Sequence, residues 1–220
     1  MEEKACIDTL YLSPLLFPKK PYHALVKDDK LDPDGYNNPL NDAIKAKDLF
    51  YAEVNAFHAL PDALRDLFFL LLYDRKEFAA FFTCIGYFTD KDASSETQII
   101  KNYFFGKICD SVSLSVLIKE NPISLAYALA LINVNDKYSI TPKWVLKNFP
   151  DIENIMFLLR NKPCFTGCDF CNQSFDPVRG LKRIFGFTAF REYDGVPLQE
   201  KAVEAALKNE SLLAIFPTGG

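Results

Sequence analysis

The sequence predicts a mainly α-helical chain, on three observations. Apolar residues make up 49% of the 220 and aromatics 14%, enough to bury a core. From Pro61 to Asn161 apolar side chains recur at helical spacing, in short segments divided by cap and turn residues. Short helices with short links make a compact helical bundle the natural architecture.

Composition also excludes several classes. The longest apolar runs, Leu67–Tyr73 and Leu125–Ile132, fall far short of the ~20 residues that span a bilayer. Met1-Glu2-Glu3-Lys4 is not followed by an apolar signal region, so the expected location is cytoplasmic. The net charge is −4, and even Arg160–Gly220 carries only eight Lys/Arg against seven Asp/Glu. No basic segment advertises a surface that grips DNA alone. Of six cysteines, three fall within eight residues and three are scattered. That is not a secreted disulfide framework, and clustered cysteines in an intracellular protein more often bind metal.

The elements follow in order. Ile7–Leu16 fits a strand or a helix, and Lys19–Asn38, with Pro21, Pro33 and Gly35, reads as loop. A helix starts near Pro39, with Ala43, Ala46, Leu49, Phe50 and Val54 on one face. Pro61 suits a first helical position ahead of Ala63, Leu67, Leu70 and Leu71. Glu77–Tyr87 is a second apolar segment. Ser94-Ser95-Glu96 caps a third, expected to turn Ile99, Ile100, Phe104 and Phe105 inward. Ser111–Glu120 and Ile123–Asn133 are separated by Asn121-Pro122, Thr141-Pro142 starts another helix, and Ile152–Arg160 closes the zone. Phe68, Phe69, Phe81 and Phe82 read as core and His58 as a helix-end residue. After Pro197 comes a helix with Ala202, Val203, Ala206 and Leu207, and Ser211–Phe216 reads as a buried strand.

Chemistry concentrates after Pro163. In Cys164-Phe-Thr-Gly-Cys168-Asp-Phe-Cys171 the Gly167 turn lets three thiolates converge on one ion. Tetrahedral zinc needs a fourth ligand; Cys109 is the first candidate, then Cys84, Asp169 and Asp176. The alternative is three unliganded thiols on a loop. The same spacing resembles the iron–sulfur motif of radical-SAM enzymes, in which three cysteines bind three irons and the fourth iron binds the cosubstrate. In those enzymes, however, the motif follows the first strand of a large barrel.

Leu181-Lys-Arg-Ile-Phe185-Gly186-Phe187-Thr-Ala-Phe190-Arg191 resembles the opening signature of RecQ-type helicases, L-x3-F-G-[YF]-x2-F-R. Gln199, a helix, the Ser211–Phe216 strand and Pro217-Thr218-Gly219-Gly220 follow in that family's order. The resemblance implies an ATP-dependent DNA helicase acting in repair or recombination. Its adenine site would be Phe187, Phe190, Arg191 and Gln199. Thr218, Gly219 and Gly220 would open the Walker A loop, whose backbone amides cradle the phosphates of ATP with magnesium. The Walker lysine and serine lie beyond Gly220, so residues 1–220 are expected to be inactive alone. Gln199 stands eight residues after Arg191, farther than that family places it.

Toward the N-terminus, Ile7-Asp8-Thr9-Leu10, Pro21-Tyr22-His23-Ala24-Leu25 and Asn37-Asn38-Pro39-Leu40-Asn41-Asp42-Ala43 resemble the end of a DnaQ-like 3′–5′ exonuclease. Such enzymes hold two metal ions with four carboxylates. The last of these would be Asp42, with Asn37 where the family has its general-base histidine. Read alone, Asp42 is a first-turn acid favoured by the helix dipole.

The expectation is therefore a mainly α chain in four parts. Residues 1–57 form the C-terminal part of an exonuclease (RNase H-like) fold, 58–162 a helical domain, 163–178 a cysteine-rich knuckle and 179–220 the first elements of an α/β P-loop helicase motor. ATP, magnesium and DNA are expected of the whole protein and zinc of the knuckle. The competing class is a non-catalytic DNA- or protein-binding module.

Overall fold

The computed structural model describes residues 6–20, 23, 39–92, 94–134, 139, 141–164 and 166–216. Among them the chain is mainly helical, with twelve α-helices and a single isolated β-bridge, Tyr193 to Val196. No described helix is long and apolar enough to cross a membrane. The chain forms two compact units, Met1–Phe104 with Ser113–Met156, and Phe105–Val112 with Phe157–Gly220.

The first unit is built around an apolar helix. The Ile7–Leu16 stretch resolves as α1, Thr9–Leu16, because the Asp8 carboxylate caps it by accepting from the Leu10 N–H at 2.9 Å. α2 spans Pro39–His58, α3 Asp62–Leu72, α4 Ala79–Ile85, α5 Ser95–Tyr103, α6 Leu114–Glu120, α7 Pro122–Val134, α8 Lys143–Asn148 and α9 Asp151–Met156. Leu125 through Ala130 and Ile132 of α7 are all buried, the signature of a helix enclosed on every side. It packs against α1, α3, α6 and α9. Its alanines at 126, 128 and 130 let those neighbours approach closely. The buried Tyr127 donates its hydroxyl to the Tyr11 carbonyl at 2.8 Å, satisfying the one polar atom it carries inward. Phe57, Phe69, Phe81, Phe82 and Tyr87 meet edge to face between α2, α3 and α4. α4 ends at Gly86, whose φ of +63° is open to glycine at little cost.

Two expectations for buried faces are corrected. On α2, Ala46, Leu49, Phe50 and Val54 are half-buried as expected, but Ala43 is exposed and the fully buried positions are Glu53 and Phe57. Ile100 and Phe104 turn inward as expected, but Phe105, just past the end of α5, is exposed. Glu53 is 0% exposed, and neither carboxyl oxygen has a hydrogen-bond partner among the described residues. Burial pushes its pKa up to about 8, against the pull of Lys20. His23 is also buried. Its Nδ1 lies 2.9 Å from Ser13 Oγ, and burial lowers its pKa.

The second unit opens its longer segment with a π-helical turn, Phe157–Asn161, followed by α10, Asp169–Ser174, α11, Pro177–Phe185, and α12, Leu198–Leu207. Asp176 caps α11 by accepting from the Arg179 N–H, and Gly186 ends it with φ +79°. α12 starts after Pro197, as expected. Neither α11 nor α12 buries a residue. The reading of Ser211–Phe216 as a buried strand is overturned. The segment carries no ladder, and Leu213 and Ile215 are 88% and 80% exposed. A strand exists only through its neighbours' hydrogen bonds, and no described segment offers them.

Candidate metal centre

The knuckle forms where the chain reverses at Gly167. Its φ of +63° favours glycine, and a Cβ there would stand 3.0 Å from Asn172 Oδ1. The same Asn172 side chain donates back to the Gly167 carbonyl, locking the turn. Cys168 then occupies the N-cap of α10 with extended backbone, and Cys171 follows inside the helix. Positions three apart share a helix face, so both thiols point to one side. Cys164 comes from the segment that leads into the turn.

Cys109 arrives from Phe105–Val112. Its backbone N–H donates to the Leu159 carbonyl at 2.8 Å, which docks that segment on the π-turn. Cys109, Phe170 and Cys171 form a small buried core with Val112, Cys164, Cys168 and Phe175 packed against it. One sulfur from each of Cys109, Cys164, Cys168 and Cys171 lies within 4.8 Å of all the others. A tetrahedral zinc–thiolate site with bonds near 2.3 Å has sulfur–sulfur edges of about 3.8 Å, so the four need only a small inward adjustment to enclose one ion. All four are free cysteines.

Backbone and hydroxyl donors already point at the sulfurs. The Cys168 N–H donates to Cys164 Sγ at 3.4 Å, the Cys164 N–H to Cys171 Sγ at 3.4 Å, and the Thr166 hydroxyl to Cys164 Sγ at 3.2 Å. The Cys168 N–H and then the Thr166 hydroxyl pull the Cys164 pKa down to about 5, a thiolate at neutral pH. Burial pushes the Cys171 and Cys109 thiols up, with the Cys164 and Ser111 N–H groups working against it. A divalent cation removes that penalty by binding both as thiolates.

The other candidate ligands are not members of this set. Cys84 is an exposed residue of α4, Asp169 is exposed in the first turn of α10, and Asp176 is engaged as the α11 cap. The residues read as a nucleotide site are distributed differently. Phe187 is 64% exposed just past α11, and Phe190 is half-buried. Arg191 lies over the Tyr193 ring, 5.2 Å from its centroid. Gln199 is half-buried in the first turn of α12, and Thr218, Gly219 and Gly220 lie outside the described residues. Asp42 sits half-buried in the first turn of α2. A cleft of ≈ 610 Å³ opens beside the cysteines, lined among others by Lys162, Cys164, Cys171, Phe175, Arg179 and Lys208. Sequence reasoning missed this cleft, and it missed Ser111 and Thr166.

No protein-family model, curated protein or solved structure matches the chain.

Proposed function

We propose that Cys109, Cys164, Cys168 and Cys171 hold one structural zinc ion, and that this zinc-organised unit leads into the nucleotide-binding part of a RecQ-type DNA helicase. The observation that carries the first half is the four-sulfur cluster with its inward-pointing donors. Four thiolates leave zinc no open position for water or substrate, so the ion holds the fold and does no chemistry. Its work is to join two chain segments otherwise linked through 54 intervening residues. The four-thiolate centre carries two excess negative charges, and the adjoining cleft carries Lys162, Arg179 and Lys208 against Asp176 and Glu204.

The cluster favours this reading over a radical-SAM centre. A cosubstrate-binding iron needs a position without a cysteine, and Cys109 stands in that place. Sulfurs within 4.8 Å of one another also leave room for one ion rather than for several irons with bridging sulfides. Elemental analysis of the purified chain is the test. Close to one zinc per chain is expected; iron with inorganic sulfide reverses the choice, and no metal after anaerobic, reducing purification returns the cysteines to a loop.

The helicase half rests on the ordered residues Leu181, Phe185, Gly186, Phe187, Phe190, Arg191 and Gln199. Leu212, Leu213 and Ile215 lie exposed after α12, apolar surface of the kind that a further part of a fold covers. Phosphate release from ATP, with and without DNA, is the measurement. Residues 1–220 lack the Walker lysine that stabilises the transferring phosphoryl group and are expected to release none. A chain continued through that lysine should turn over with DNA stimulation, and silence there removes the helicase reading. The placement of Asp42 at the start of the long helix α2 likewise fits an exonuclease remnant. With one of four carboxylates, that part is expected to digest no DNA.

A further inference from the structure

Two hydroxyls stand together at the cysteine cluster. Thr166 stands inside the knuckle turn, and Ser111 follows Cys109 by two residues. Thr166 Oγ1 donates to Cys164 Sγ at 3.2 Å, and Ser111 Oγ lies 2.8 Å from Thr166 Oγ1. A threonine hydroxyl carries a single proton. With that proton on sulfur, the serine donates to the threonine, giving the order Ser111 to Thr166 to Cys164, in which each bond polarises the next. The Ser111 hydroxyl also faces the Cys164 sulfur directly.

We infer that Ser111 and Thr166 are positioning residues of the metal centre, a hydroxyl relay that orients the Cys164 sulfur and sets how tightly the ion is held. The inference rests on the metal reading above and goes one step further. Cys164, half-exposed like Cys168, is the ligand at the start of the knuckle. Its donors are the Cys168 N–H, which the backbone supplies, and the hydroxyls of Thr166 and Ser111, which depend on the side chains. The relay also bridges the segment that brings Cys109 and the turn that brings the other three, 55 residues apart from Ser111 to Thr166. One hydrogen-bond chain thus adjusts a ligand and docks the distant one. Outer-shell partners of this kind typically change metal affinity by about 10–100-fold.

The test uses the whole 220-residue chain and four substitutions: Thr166→Val, Thr166→Ser, Ser111→Ala and, as a control, Thr83→Val, whose hydroxyl bonds the Ala79 carbonyl in α4. Zinc affinity is read by competition with a chromogenic chelator, and ligand donor strength by the charge-transfer band of the cobalt(II)-loaded protein. Thr166→Val should bind zinc about 10–100-fold more weakly. Its cobalt form should keep tetrahedral four-thiolate bands while the charge-transfer band moves to lower energy, because an unbonded thiolate is the stronger electron donor. Thr166→Ser should restore both readouts, Ser111→Ala should show a smaller loss in the same direction, and Thr83→Val should match the parent. Affinity and spectrum unchanged in both Thr166→Val and Ser111→Ala overturn the relay. So does Thr166→Ser behaving like Thr166→Val, which would assign the effect to the methyl group. A parent chain that binds neither ion fails at the metal reading itself and takes the relay with it.

Discussion

The two units reach order by different means. The first encloses α7 on all sides and buries Leu64, Leu67, Phe68, Leu71, Leu72, Phe57, Phe81 and Tyr127 almost completely. The second has a buried core of Cys109, Phe170 and Cys171, and its helices α11 and α12 bury nothing. Their charges diverge too, with 16 Lys/Arg against 21 Asp/Glu in the first and nine against eight in the second. An apolar core of the first kind needs no ligand. A unit whose buried described residues are Ile108, Cys109, Leu159, Phe170 and Cys171, two of those five being thiols, lacks the apolar area to order its loops and depends on what the thiols bind. The contrast predicts that one unit is indifferent to metal and the other is not.

Removing the metal ligand should have the largest effect. Cys168→Ser, or a strong chelator on the unaltered chain, removes an ion whose binding contributes on the order of 10 kcal/mol or more in favourable small sites. The second unit should loosen, seen as rapid proteolysis between Lys162 and Lys182. The first should not notice. The chain has one tryptophan, Trp144 of α8 in the first unit, which packs edge-on against Tyr11. Its fluorescence transition in urea should keep its midpoint after chelation. A midpoint that collapses with zinc loss breaks the comparison, because the first unit would then depend on the ion.

The converse substitution comes next. Leu67 is fully buried in α3, and Leu67→Ala should cost the first unit about 2–5 kcal/mol through lost burial and the cavity left behind. The Trp144 midpoint should fall by a corresponding amount. Zinc content and the cobalt spectrum should stay as in the parent. Loss of metal in this variant would show that the two units fold as one.

How much of this was readable in the sequence depends on whether the causes were local. α3, α7 and α12 follow Pro61, Asn121-Pro122 and Pro197, because proline and cap residues act on their own turn of chain. The Cys164, Cys168 and Cys171 grouping was legible for the same reason. Cys109 stood first of four candidate fourth ligands, although nothing local joins it to a turn 55 residues away; the structure brings its sulfur within 4.8 Å of the other three. The Ser111–Thr166 pair was invisible because two hydroxyls carry no spacing signal. Ser211–Phe216 was misread because apolar composition can nominate a strand but cannot supply its partners. On α2 the apolar face was legible but Glu53 was not, because an acid is not expected on a buried face. A carboxylate in a fully enclosed position contradicts the pattern that assigns faces.

That acid gives the smallest effect and the sharpest test of the first unit. Glu53 is normally ionised above about pH 4.5, but burial raises its folded value to about 8. Between those values the folded chain holds a proton that the unfolded chain has released. Folding stability from this group is therefore complete below the ordinary value and declines as pH rises toward 8. His23 runs the other way: its lowered pKa makes it stabilising above its ordinary value of 6.5 and costs stability as pH falls below that. From pH 6.5 to 8 the Glu53 contribution therefore stands largely apart. At up to ~1.4 kcal/mol per pH unit, the first unit should lose about 2 kcal/mol across that window. The Trp144 urea midpoint at the two pH values reads it. Glu53→Gln carries no titrating proton and should flatten the change. A parent midpoint that does not move, or a Glu53→Gln midpoint that falls equally, would mean that the carboxyl finds a partner or water in solution and that the first unit's core is not closed at α2.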